Sequence, residues 1–237
     1  MKNVLVTGAT KGIGREIALL LSQNYNVYIA GRNEDELKKL VQNSNIKDFI
    51  AVDLTTEDAC QKVFEKFNDV DILINNAGDY IYKELGEYNE EEIKYLFNIN
   101  SVVPFWLTSL YSTQMKNKKW GRIINIGSIS AMIGEAGASL YSTTKAALTG
   151  LAKAAGLELA PYGITVNTVH PGWVDTDLAK NSVDASCFEK EEIIETIPQR
   201  RFIAPNEIAN LVKYLISDEA KGLTGQNINL CAGLTIG

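Results

Sequence analysis

Val4-Leu5-Val6-Thr7-Gly8-Ala9-Thr10-Lys11-Gly12-Ile13-Gly14 opens the chain with a short apolar run and a glycine cluster, followed by an amphipathic pattern. Ile13, Ile17, Leu20 and Leu21 recur at i, i+4, i+7 and i+8, the spacing of one helix face. Glycines between a strand and a helix let the backbone turn sharply and approach a pyrophosphate. The helix N-terminus then supplies N–H donors and a partial positive charge. The G-x-x-x-G-x-G spacing of Gly8, Gly12 and Gly14 differs from the commoner G-x-G-x-x-G. A glycine cluster alone says little; after the first strand of an alternating chain it points to a dinucleotide site, with Thr10, Lys11 and Ile13 inside the loop.

The alternation continues along the chain. Asn3–Thr7, Asn26–Ala30, Asp48–Val52, Asp71–Asn75, Arg122–Ile126, Thr165–Val169 and Asn227–Leu230 read as strands, several nearly all apolar, as strands buried on both faces are. Ile208, Leu211, Val212, Leu215 and Ile216 repeat the helical spacing behind Pro205, a residue suited to a first turn. Thr55-Thr56-Glu57-Asp58 reads as an N-cap followed by acids in the first turn. Strand and helix in alternation imply right-handed βαβ units. The expected fold is α/β, a doubly wound parallel sheet of about seven strands with helices on both faces, in a single domain over residues 1–237. The least regular stretch, 173–203, is expected to form a lid over the carboxyl ends of the strands, with a short helix at Glu189–Ile197 and apolar Cys187, Phe188, Ile193 and Ile194.

A length of 237 residues suits one domain of this type, and 46% hydrophobic with 22% charged residues is ordinary for a globular protein. The net charge of −6 argues against a broad nucleic-acid or anionic-membrane surface. Lys116, Lys118, Lys119 and Arg122 form a dense basic cluster that reads as a solvated helix end. Cys60, Cys187 and Cys231 are odd in number and lack a Cys-x-x-Cys, which suggests reduced thiols rather than a disulfide framework or a zinc site. Carboxylates are dispersed, so no metal site is expected. Met1-Lys2-Asn3 leads straight into the first strand, too short for a signal-peptide core, and no apolar run reaches the about 18 residues of a membrane span. A soluble, cytoplasmic protein is expected.

Chemistry is carried by Tyr141-Ser142-Thr143-Thr144-Lys145, with Ser128 upstream. Residues four apart share a helix face, so the phenol and the ammonium project together. A held cation favours phenolate and draws a tyrosine down from its ordinary value of about 10. Tyr141 is therefore a candidate general acid/base at a carbonyl or alcohol, and Ser128 a donor to the developing oxyanion. Ser130 competes with Ser128, which the spacing to Tyr141 favours. At the end of the second strand an NAD site usually places an acid for the ribose hydroxyl. Here Ala30-Gly31-Arg32-Asn33 holds no acid, and Arg32 with Lys11 suits a 2′-phosphate, so the expected cofactor is NADP(H). His170 precedes Pro171-Gly172 with no nucleophile-elbow motif in the chain, which leaves it a structural or pocket-lining role.

Gly8-x3-Gly12-x-Gly14, Asn75-Asn76-Ala77-Gly78, Ser128, Tyr141-x3-Lys145 and Pro171-Gly172 stand in the order and spacing of the short-chain dehydrogenases/reductases, which the chain resembles over essentially its whole length. Within that family it looks most like 3-oxoacyl-[acyl-carrier-protein] reductases, through Ile164-Thr165-Val166-Asn167, Ile208-Ala209-Asn210 and Leu223-Thr224-Gly225-Gln226. The resemblance implies a Rossmann-type fold and an NADPH-dependent reduction of a ketone to a secondary alcohol. It implies that Asp53, beside Leu54, hydrogen-bonds the adenine, and that Asn75, Asn76, Ala77 and Gly78 form the segment that closes over the adenosine ribose and steadies the central sheet. Val174 and Thr176, after Pro171 and Gly172, would hold the nicotinamide carboxamide. Asn100 would complete a tetrad with Ser128, Tyr141 and Lys145, holding a water that relays protons to Lys145; Asn98 is its near rival. Lys145 would also bind the nicotinamide ribose. Family members commonly form dimers or tetramers through the helices matching roughly 90–116 and 141–160, and a homotetramer is expected.

The leading substrate class is 3-oxoacyl thioesters, with acyl carrier protein as a partner that Lys119 and Arg122 could meet. Two departures keep a sugar, steroid or polyketide-type ketone open. Tyr162 stands where many acyl-carrier-protein reductases have a basic residue, and Leu230-Cys231-Ala232-Gly233-Leu234 departs from the usual Asp/Asn-Gly-Gly toward polyketide ketoreductases. Pocket candidates are Ser130, Met132, Gly134, Leu178, Cys187 and Phe188, an apolar set without an anchor for anions. A non-catalytic NADP-binding sensor is the reading from another class, and the complete tetrad speaks against it.

Overall fold

The computed structural model describes residues 1–180 and 189–236. All seven strands are present and parallel, with ends within two residues of those expected: β1 (Asn3–Thr7), β2 (Asn26–Gly31), β3 (Asp48–Ala51), β4 (Ile72–Asn75), β5 (Gly121–Ile126), β6 (Ile164–Pro171) and β7 (Asn227–Leu230). Their spatial order is β3-β2-β1-β4-β5-β6-β7. The chain winds outward to one side from β1 and, after β3, returns to pair β4 on the other side of β1, so a crevice opens at the carboxyl ends of the strands where the order reverses.

Strand residues point alternately to two separate cores. Val4 and Val6, Ile72 and Ile74, and Ile124 and Ile126 enter one; Leu5, Leu73 and Ile123 enter the other. Two buried faces explain why these strands are continuous apolar runs rather than alternating ones. Helix α1 (Gly12–Leu21) and the helix Pro205–Leu215 cover the first face. On the second lie α3 (Ala59–Lys66), α5 (Val103–Lys118) and α7 (Ser139–Leu159). The remaining elements are α2 (Glu34–Gln42), α4 (Glu90–Phe97), the short α6 (Ser130–Ile133) and the helix Lys190–Thr196. Among the described residues no helix is long and apolar enough to cross a membrane.

Three local expectations are corrected, and one falls partly outside the described residues. The helix expected from Thr55 starts only at Ala59, because the Asp53 carboxylate accepts hydrogen bonds from the Thr55 N–H at 2.9 Å and the Thr55 hydroxyl at 2.7 Å, closing a turn that competes with the helix. The basic cluster is only in part the solvated helix end expected: Lys116 and Lys118 lie in the last turn of α5 and Lys119 caps it, with Lys118 and Lys119 exposed, but Arg122 does not belong to that end. Arg122 is 2% exposed on β5, and Lys118 bridges Asp69 and Asp71. The helix expected over 90–116 is interrupted by a π-helical segment, Asn98–Val102, between α4 and α5. Of the lid expected over 173–203, Cys187 and Phe188 lie outside the described residues, and both flanks are pinned: Trp173 and Asp175 exchange backbone hydrogen bonds with Ile203, while Ile193 and Ile197 sit in the core.

Candidate active site

A groove of about 740 Å³ occupies the crevice. Gly8, Thr10, Lys11, Gly12 and Ile13 line it from the first loop, Arg32 from beyond β2, Asp53 and Leu54 from beyond β3, and Ala77 and Gly78 from beyond β4. Ser128, Tyr141 and Lys145 line its inner end, with Pro171, Gly172, Val174 and Thr176 following β6. Three of the expected site residues stand behind these walls. Gly14 lies under the loop, where a Cβ would meet the Gly8 carbonyl. Asn75 is buried in the sheet, donating to Asn125 Oδ1 at 2.9 Å and to Thr108 and the Pro104 carbonyl. It joins β4 to β5 and α5 rather than facing the groove. Asn76 lines the groove and holds the glycine loop: its Nδ2 donates to the carbonyls of Thr7 at 2.9 Å and Gly8 at 3.1 Å.

The cradle fits a dinucleotide. Gly8 has φ +66°, and a Cβ there would stand 2.8 Å from the Ala77 Cα, so the loop packs this closely only as glycine. Helix α1 begins at Gly12, and Lys11 at its N-cap places no side chain on the first-turn N–H groups, which stay available to an anion. Arg32 and Lys11 are exposed beside this end, and Arg32 Nη1 reaches the Tyr95 hydroxyl at 3.5 Å.

Asn100 is fully buried on the π-helical segment and locks the loop after β4: its Oδ1 accepts from the Asp79 N–H at 3.0 Å, and its Nδ2 donates to the Asp79 carbonyl at 2.9 Å and to Thr144 Oγ1 at 3.1 Å. A π-turn inside a helix is a frequent mark of a functional position. Asn98, the rival, points instead at the Thr55 carbonyl. A Cβ on Gly78 would stand 2.8 Å from Asn100 Oδ1 and 3.1 Å from Lys145 Nζ, so these two side chains converge on one spot under a glycine that leaves them room. Lys145 Nζ donates to the Ile126 carbonyl at 2.9 Å, at the end of β5.

Tyr141 and Lys145 share the buried face of α7, with the ammonium 5.8 Å from the ring centre. The expected downward pull on the phenol is nevertheless reversed. Burial pushes Tyr141 up to about 12, opposed by the Ser128 hydrogen bond, while Glu135 and Asp79 add to the rise. Burial likewise pushes Lys145 down to about 8. Desolvation penalises both charged forms and is the largest cause at each. Ser128 rests on His170, which is fully buried: Nδ1 lies 2.8 Å from the Ser128 carbonyl and Nε2 lies 3.0 Å from Asn227 Oδ1. The histidine thus has the structural role expected of it.

Ser130, Gly134 and Leu178 line the groove as expected, whereas Met132 does not. The wall beside them includes apolar Ile133, Trp173 and Leu234, but it also carries a carboxylate. Glu135, in the loop between Ser128 and Tyr141, accepts from the Ser130 hydroxyl at 2.6 Å and from the Tyr80 hydroxyl at 2.8 Å. The Tyr80 ring stands edge-on to Tyr141 with centroids 4.9 Å apart. The one sequence signal for Glu135 was its place between two catalytic candidates. Among the described residues no group of three His, Cys, Asp or Glu could hold a metal ion.

Residues 2–186 match the short chain dehydrogenase family. The 3-oxoacyl-[acyl-carrier-protein] reductase FabG of Staphylococcus epidermidis is 37% identical, with 98% of each chain covered. That of Aquifex aeolicus is 35% identical over 97% of this chain and 96% of its own. Among solved structures, YwfH, an NADPH-dependent reductase involved in bacilysin biosynthesis, superposes with a TM-score of 0.93 at 29% identity, covering 100% of this chain and 99% of its own. A variant of actinorhodin polyketide ketoreductase with NADPH superposes with a TM-score of 0.91 at 33% identity, covering 100% and 98%.

Proposed function

The chain belongs to the short chain dehydrogenase family of oxidoreductases, and from that membership we propose that it is an NADPH-dependent ketone reductase in which Tyr141 delivers the proton. The observation that carries this reading is the convergence of Ser128, Tyr141 and Lys145 at the inner end of a groove whose outer end carries Lys11 and Arg32. When bound, NADPH supplies the hydride. The glycine loop and the start of α1 would hold its pyrophosphate, Lys11 and Arg32 its 2′-phosphate, and Asp53 its adenine. Val174 and Thr176 would hold the carboxamide, and Lys145 the nicotinamide ribose.

Tyr141, kept protonated by its burial, is a ready donor to the oxygen of a ketone as negative charge develops there. Ser128 steadies the same oxygen with a hydrogen bond, in a site where low polarity strengthens it. Lys145, still largely protonated at about pH 7 but close to its titration point, would return a proton to Tyr141, and Asn100 would hold the water that recharges Lys145. Asn100 keeps the loop after β4 fixed while this occurs.

The leading substrate class is 3-oxoacyl thioesters, supported by the names of the curated relatives. Of the two cations proposed to meet acyl carrier protein, Arg122 is buried, which leaves Lys119. A second reading, a hydroxylated ketone of sugar or polyketide type, is favoured by Glu135 in the substrate wall. NADPH oxidation with an acetoacetyl thioester, a cyclic ketone and a keto-sugar tests both. No turnover with any of them, alongside intact NADPH binding, would revive the sensor reading. We also propose a cytoplasmic homotetramer or homodimer. Ala146, Ala147, Gly150 and Ala154 form an exposed stripe on α7, and Val102, Phe105 and Trp106 are exposed where α5 begins. Light scattering at micromolar concentration that returned a monomeric mass would overturn the assembly.

A further inference from the structure

We propose that Glu135 is a specificity-determining residue that selects ketones carrying a hydrogen-bond donor, a hydroxyl or an ammonium, close to the carbonyl. This deepens the ketone-reductase reading and rests on it. Glu135 lines the groove together with Ser128, Ser130, Tyr80 and Tyr141, at the end where the ketone would meet the phenol. An ionised carboxylate only accepts hydrogen bonds and offers about four lone-pair sites. Ser130 and Tyr80 each supply one donor, at 2.6 Å and 2.8 Å, which leaves acceptor capacity for a ligand. Among the described residues, no lysine or arginine forms an ion pair with it. Its charge is therefore matched by neutral hydroxyls alone, and a donor on the substrate improves its surroundings.

The hydroxyl network makes this a matter of rate as well as binding. Because Glu135 cannot donate, the Ser130 proton must lie toward it, and Ser128 in turn donates to Ser130 Oγ at 3.0 Å. Ser130 thus competes with Tyr141 and with the ketone oxygen for the single Ser128 proton. A substrate donor that takes over at Glu135 competes with Ser130, relaxes this chain and frees Ser128 to turn toward the carbonyl. A substrate with only acceptors at that position leaves the chain in place, and one with a negative charge there is repelled by Glu135 and by Asp79, which also acts on Tyr141.

The test compares kcat/KM for 2-hydroxycyclohexanone, its methyl ether 2-methoxycyclohexanone, 2-aminocyclohexanone and an acetoacetyl thioester, in the wild-type protein, Glu135→Gln and Glu135→Ala, with NADPH affinity as a check on folding. In the wild type the hydroxy ketone is expected to exceed its methyl ether by about tenfold or more. Glu135→Ala should collapse that ratio toward one, and Glu135→Gln should keep part of the hydroxyl preference while losing the preference for the amine. A ratio unaltered in Glu135→Ala, or one near unity in the wild type, would overturn the inference and leave the ketone-reductase reading intact. Reduction of no ketone by a wild-type protein that binds NADPH would sink that reading and this inference together.

Discussion

Two buried cations stand at opposite ends of the same strand. At the amino end of β5, Arg122 is 2% exposed; its guanidinium donates to the carbonyls of Gly121 at 2.8 Å and Gly163 at 3.1 Å and pairs with Asp218. At the carboxyl end, Lys145 is 5% exposed and donates to the Ile126 carbonyl, and among the described residues no carboxylate pairs with it. Burial lowers both, but Asp218 counters the effect at Arg122, whereas Lys145 is carried down to about 8. The guanidinium stays charged and braces the bottom of the sheet. The lysine sits near its titration point, where a proton moves easily. In a doubly wound sheet the amino end serves stability and the carboxyl end serves chemistry, and here a buried cation stands at each end of β5, Arg122 from the strand itself and Lys145 from α7.

The contrast can be broken first at Tyr141. Tyr141→Phe should lower turnover by about 10²–10⁴-fold while NADPH still binds, because only the general acid is lost; turnover near that of the wild type would mean the carboxyl end does not work as described. At the other end, Arg122→Ala should cost roughly 3–4 kcal/mol of stability through lost packing and hydrogen bonds, read by urea unfolding. The turnover of the folded fraction should stay unchanged, and a selective loss of turnover would erase the distinction between the two ends.

Lys145 offers a sharper test through pH. Its folded value lies below the ordinary value of lysine, so between about 8 and 10.5 the unfolded chain binds a proton that the folded protein does not. The Lys145 contribution to stability therefore rises with pH by on the order of 3 kcal/mol across that window, and Lys145→Met should remove that rise. Arg122→Met should leave the slope alone. The smallest effect is expected at the outer end of the groove: Arg32→Ala should weaken NADPH binding by about tenfold, the worth of a charge-assisted bond, and leave NADH nearly unaffected. Equal loss of both would remove the 2′-phosphate from its role.

Much of this site could be read in one dimension because its parts are local patterns. The glycine loop follows its strand directly, and Tyr141 and Lys145 are one helical turn apart. The strands declared themselves as apolar runs because both of their faces are buried. Elsewhere the reading went astray where a side chain's partner is distant in sequence. Arg122 looked like a surface cation because Asp218 lies 96 residues away. Asn75 and Asn76 are adjacent and identical, and only the pleat of β4 decides that one turns into the sheet and the other into the groove. At Thr55–Asp58 a side-chain turn from Asp53 competed successfully with a helix that the composition favoured.

By itself the sequence determined the fold class, the strand set, the dinucleotide loop and the shared helix face of Tyr141 and Lys145, since each rests on periodicity or short spacing that the backbone imposes locally. The tertiary structure alone decided the electrostatic state of the donor pair and the character of the substrate wall. The Tyr141 phenol is high and the Lys145 ammonium low because both are shut away from water, a property of packing and not of spacing. Glu135 becomes a substrate-facing acceptor only because the fold brings Tyr80, 55 residues away, and Ser130 against its two oxygens.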